Sequence, residues 1–127
     1  MDQVPNVRTV PLSPPYDLEQ RTFEFARRCR ALIKRLPRTV ANLEDATQLV
    51  RASGSVGSNY IEANECLGRK DFAMHIKISR KESKESRFFL RLLDLGAQVE
   101  PEAERVALVQ EASEFIKIFS SMIRPKP

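Results

Sequence analysis

Apolar residues return every three or four positions along most of this chain, and no stretch alternates apolar with polar at period two. Helices therefore account for its regular structure, because steps of three and four keep side chains on one face of a 3.6-residue helix. The first seam runs Leu18, Thr22, Phe25, Cys29, Leu32 and Leu36 and stops before Pro37. Asp17, followed three residues later by Gln20, reads as a capping box that opens it. The second helix is expected from about Leu43 to Leu67, with Leu49, Ala52, Val56, Tyr60, Ala63 and Leu67 inward and Gly68 as its C-terminal cap. The third carries Phe72, Ile76, Ser79, Ser83, Ser86, Leu90 and Leu93, with Asp71 as its cap and Gly96 after its end. The fourth follows Pro101, which suits a first helical turn, and reaches about Met122.

Four helices joined by short links pack most simply as an all-α, antiparallel, up-down-up-down bundle. The bundle is expected over residues 17–124, with a short tail at 125–127. Residues 1–16 hold four prolines and no helical period, which predicts an extended N-terminal arm. A chain of 127 residues suits one domain around one core. No apolar run approaches the roughly 20 residues that span a bilayer, and the N-terminus lacks the regions of a signal peptide. A cytoplasmic protein away from the membrane is the expectation, with Cys29 and Cys66 as free thiols.

Polar residues interrupt two of the seams. Ser79, Ser83 and Ser86 leave room for close helix approach, and Glu82 and Glu85 sit beside them, near where Asn59 and Glu62 could face them from the second helix. A polar layer inside the bundle follows, built of buried ion pairs among these residues, Arg51, Arg80, Lys81 and Arg87, which would set register more than add stability. The fourth helix has two apolar stripes, Val106, Val109, Ile116 and Ile123 against Leu108, Ala112, Phe115, Phe119 and Met122. One monomer rarely hides both, so self-association is predicted, with Phe88, Leu108, Phe115, Phe119 and Met122 at the interface.

Charge is unevenly spread around a net +4. Arg27, Arg28, Arg30, Lys34, Arg35 and Arg38 form a run without an acid, and residues 69–91 hold eight basic side chains against three acidic ones. Across the start of the fourth helix Asp94, Glu100, Glu102, Glu104, Glu111 and Glu114 oppose only Arg105. Arg-rich composition favours phosphate contact, so the Arg27 to Arg38 face is the candidate surface for RNA or DNA. The same asymmetry suits head-to-tail contacts between copies.

The chain resembles the bacterial four helix bundle proteins first noticed as reading frames within intervening sequences of 23S ribosomal RNA. The resemblance rests on Arg51, Ser55, Val56, Asn59 and Glu62, then Asp71 and Phe72, then Lys81, Glu82, Glu85 and the run from Arg87 to Leu93, and it covers residues 17–123. Phe89 stands where relatives often carry Trp, and Lys70 where they often carry a capping Ser. The resemblance implies a left-twisting bundle that assembles into a pentameric ring and serves as an accessory or scaffold, in one branch beside a reverse transcriptase. Arg51, Ser55, Asn59, Glu62, Lys81, Glu82 and Glu85 then count as structural motif residues.

The reading that results is a non-enzymatic homo-oligomer that binds nucleic acid, or a protein that processes it, with no cofactor and no bound metal. A second reading is a scaffold that touches only protein. A third takes the ExxE pairs Glu62 with Glu65 and Glu82 with Glu85 as the magnesium ligands of an all-α nucleotide pyrophosphohydrolase. A di-iron bundle needs Glu-x-x-His on two helices, and His75 is the lone histidine, better read as a surface or interface residue.

Overall fold

The computed structural model describes residues 14–125. Among them lie four helices and no strand: α1 (Pro14–Ile33), α2 (Val40–Glu65), α3 (Arg69–Leu92) and α4 (Val99–Met122). Each helix packs on its neighbours in the chain and α4 closes against α1, while the diagonal pairs make no close backbone approach. The expected four-helix bundle is therefore the fold. Most of the predicted extended arm, residues 1–13, and the last two residues of the tail lie outside the described residues.

Helix ends differ from the sequence reading by a few residues. α1 begins at Pro14, ahead of Asp17, since proline lacks the N–H that a first turn leaves unbonded anyway. α2 begins at Val40 because Thr39 caps it, its hydroxyl accepting from the Asn42 amide at 3.1 Å. It ends at Glu65, so Leu67 is fully exposed in the link instead of closing the seam. Gly68 precedes α3 rather than ending α2, and Asp71 sits within the first turn of α3, where the helix dipole favours an acid. Gly96, at φ +66°, occupies the left-handed region in the link after α3.

The predicted seams point inward. Leu18, Phe25, Cys29 and Leu32 meet Leu49, Val56, Tyr60 and Ala63, with Ile76, Leu90, Leu108, Phe115 and Phe119 completing the core. Phe25 meets Phe115 edge-on at 5.3 Å between ring centres. Burial pushes the Cys29 thiol up to about 12, so it behaves as a small apolar group.

Small side chains set the helix separations. Ser79, Ser83 and Ser86 are fully buried between α3 and its neighbours. The Ser79 hydroxyl donates to the Val56 carbonyl across the α2–α3 seam at 2.9 Å, and Ser83 donates back to the Ser79 carbonyl. On the other side of α2, a Cβ at Gly57 would stand 2.7 Å from Thr22 Oγ1 and 3.1 Å from Thr22 Cβ. Thr22 cannot rotate away freely, because its hydroxyl bonds the Leu18 and Glu19 carbonyls of its own helix.

The two helical glycines of α2 therefore respond oppositely to alanine. Gly57→Ala is expected to lose about 1–3 kcal/mol by overpacking against Thr22. Gly54→Ala meets only the tip of Arg30 at 3.5 Å and is expected to gain up to about 1 kcal/mol from helix propensity. Urea unfolding of both variants checks the pair; equal effects would contradict the close α1–α2 approach.

Candidate nucleic-acid interface

The basic run on α1 divides by helical angle. Arg21 and Arg28, seven residues apart, share the flank of α1 that faces α4, and Arg35 follows in the turn just after the helix. Arg21 forks onto Glu111 with bonds of 2.8 and 3.0 Å, and Arg28 forks onto Glu104 with the same two distances. Arg35 reaches Glu100 at 3.5 Å. The antiparallel run of α4 places these glutamates in matching order, so the three pairs form a ladder. The bond to Glu104 raises the Arg28 guanidinium above its usual range despite burial, which keeps it charged throughout.

The ladder corrects part of the sequence reading. Arg28 and Arg35, counted in the exposed basic face, are engaged by the acids of α4. Charge complementarity expected between copies is thus satisfied in part within one chain. Arg27, Arg30, Lys34 and Arg38 remain exposed. Arg27 stands beside Glu24 at 3.5 Å and over the Phe23 ring, and Arg30 donates to the Ala26 carbonyl.

The motif residues do not form a buried ionic layer. Arg51, Glu62, Lys81 and Glu85 are exposed, and Ser55, Asn59 and Glu82 are half-buried along the outer edge of the α2–α3 seam. Asn59 donates to the Ser55 carbonyl at 3.0 Å, and its Oδ1 lies 3.3 Å from His75 Nδ1. Lys81 approaches Glu82 at 3.6 Å. Where α2 and α3 come together there is room for hydroxyls but not for glutamates, so the interior polar layer is made of serines. Arg80 and Arg87 turn to α4 instead, donating to Ser120 and Ser113. Nor do Glu62, Glu65, Glu82 and Glu85 converge: among the described residues no group of three or more acidic, His or Cys side chains is placed to hold a metal.

The predicted interface is also redrawn. Leu108, Phe115 and Phe119 are fully buried in this chain's own core, and Met122 is half-buried against it. α4 turns that stripe inward because it packs between α3 and α1, leaving the other stripe outside in part, with Val106 exposed and Val109 and Ile123 packed on the core rim. Phe88 alone of the predicted set is exposed, at 56%.

Two organising residues escaped the sequence reading. Asn42 is 2% exposed; its side chain donates to the Pro37 and Asp94 carbonyls and accepts from the Asp94 amide, tying two links together. Its position seven residues before Leu49, on the apolar seam, was the available signal. Arg105 donates to the carbonyls of Leu90, Arg91 and Leu93 at the C-terminal end of α3 while held by Glu102. It caps a helix to which it does not belong.

The sequence pattern of the 23S rRNA-intervening sequence proteins matches residues 16–121. A similar solved structure is that of a protein with unknown function from the S23 ribosomal protein family of Bacteroides thetaiotaomicron, 27% identical, with a TM-score of 0.70 over 84% of this chain and 98% of that one. No curated protein matches the chain.

Two outcomes follow from this geometry. A double-mutant cycle on Arg28 and Glu104, each replaced by alanine, is expected to give a coupling of about 0.5–1 kcal/mol that shrinks in salt, because both side chains are about one-third exposed. Zero coupling at low salt would remove the ladder from the energetics. Burial, then the charge of Glu85, holds the Glu82 carboxyl above its ordinary range against the pull of Lys81. The folded state thus favours the protonated form, and this contribution is present at low pH and lost as pH rises through the carboxylate range. Glu82→Gln is expected to raise the midpoint of thermal unfolding at pH 7 and to match the parent below about pH 4.

Proposed function

Because the chain belongs to the 23S rRNA-intervening sequence protein family, we propose that it is a non-enzymatic helical scaffold that assembles with copies of itself and binds nucleic-acid phosphates. One observation carries this reading. The acids of α4 that would neutralise the molecule's basic surface are engaged by specific arginines: Glu111, Glu104 and Glu100 by Arg21, Arg28 and Arg35, and Glu102 by Arg105. What remains outward is a surplus of cations, on α1 at Arg27 and Arg30, in the link after it at Lys34 and Arg38, and along α3, in a chain with a sequence pI near 9.3. Such a surface attracts a polyanion through counterion release and reads its backbone, not its bases.

Self-association has separate support. Phe23, Ile61, Val99 and Val106 are each at least 43% exposed, more apolar surface than a lone small bundle needs to leave open. A ring of five copies is the assembly that the family resemblance suggests. The reading assigns no catalytic residue.

Light scattering after size exclusion, at low and high salt and with a short RNA, tests both halves. The expected result is a mass several times 14.5 kDa and RNA that co-elutes only at low salt. A monomer at micromolar concentration would overturn the assembly. An oligomer that ignores RNA at every salt concentration would overturn nucleic-acid binding and leave a scaffold for protein alone.

A further inference from the structure

Lys70, Lys77, Lys84 and Arg91 recur every seventh residue of α3 and are all exposed. They lie on one face and drift only about 20° per step, so they form a nearly straight cationic ridge about 32 Å long. Among the described residues none of the four makes an ion pair. Asp71 and Glu82 share the flank of His75, which touches Asn59 of α2, and Glu85 lies about 100° around the helix from Lys84. Arg80 and Arg87 line the opposite shoulder, each held by a neutral serine of α4 at 3.4 and 3.1 Å, so they are positioned without being neutralised. The arginines that face α4 from α1 and the turn after it differ, since Arg28 and Arg35 have glutamate partners.

One aromatic ring stands on this ridge. Phe88 follows Lys84 by four residues and precedes Arg91 by three, and it is 56% exposed. Phe89, packed on the core, props it edge-on at 5.2 Å with the planes at 87°. A buttressed ring among uncompensated cations has the composition of a surface that tracks a phosphate backbone and stacks an unpaired base. Duplex bases are already stacked and offer no such face.

We infer that the outer face of α3 is a binding site for single-stranded nucleic acid, in which the ridge from Lys70 to Arg91 holds phosphates and Phe88 stacks a base. This rests on the nucleic-acid reading above and narrows its surface to α3.

Fluorescence anisotropy of the full chain with a labelled 12-nucleotide RNA, the matching duplex and heparin tests it. Lys77→Glu with Lys84→Glu is expected to weaken all three probes and to flatten the salt dependence. Phe88→Ala is expected to weaken the single strand about ten-fold, leaving duplex, heparin and oligomer mass unchanged. Lys34→Ala with Arg38→Ala is expected to change little. A parent that binds none of the probes would sink the nucleic-acid reading itself. Binding that falls with the α1 variant but not the α3 variant would keep that reading and overturn this site. So would a Phe88→Ala variant that binds single strands normally, or one that falls apart into monomers.

Discussion

The closest packing in the bundle lies between α2 and α3, where Ser79 donates across the seam to the Val56 carbonyl. That approach is possible because α3 offers three hydroxyl residues where an ordinary core helix offers leucine. A serine fills little space and satisfies its own polarity against a carbonyl, as Ser79 and Ser83 do. Ser86 is the buried exception, its hydroxyl without a partner among the described residues. The consequence runs outward: with no space between the two backbones, Glu82, Glu85, Asn59 and Glu62 are displaced to the rim. There Glu82 remains partly desolvated beside a like charge, a strained position that the tight seam imposes.

The opposite seam, between α1 and α4, is the loosest of the four. Long side chains bridge what short ones bridge elsewhere. Each arginine fork covers apolar surface with its stem and reaches a carboxylate with its head, and Arg21 also lies over the Phe115 ring at 5.3 Å. Partial exposure keeps each pair weak in energy, yet three in register select one alignment of α1 against α4. The same ladder gathers the acids of α4 on one side of the molecule. Electrostatics of the surface is thus a by-product of how the bundle closes.

The end of the bundle holding the α1–α2 and α3–α4 links is closed by polar groups from elsewhere in the chain. Asn42 satisfies backbone groups in both links, and Arg105 satisfies the last carbonyls of α3. Neither could be replaced by an apolar residue of similar volume without leaving buried backbone groups unbonded. These contacts fix where α3 stops and therefore how much of its cationic ridge is presented.

Helix number, helix type and most inward-facing residues were legible in the sequence, since a 3.6-residue period marks a face wherever a helix is long enough to bury one. Ser79, Ser83 and Ser86 were legible too, as small polar residues on an apolar seam. Periodicity assigns an angle around a helix but not the neighbour that occupies it. Both stripes of α4 looked alike, and only packing between α3 and α1 put Leu108, Phe115 and Phe119 inside and left Val106 out. Likewise Arg28 and Arg30 were equivalent in the chain, until a glutamate 76 residues away engaged one of them. Local spacing determined the elements; contacts between residues far apart in the chain decided which of their charges stayed free.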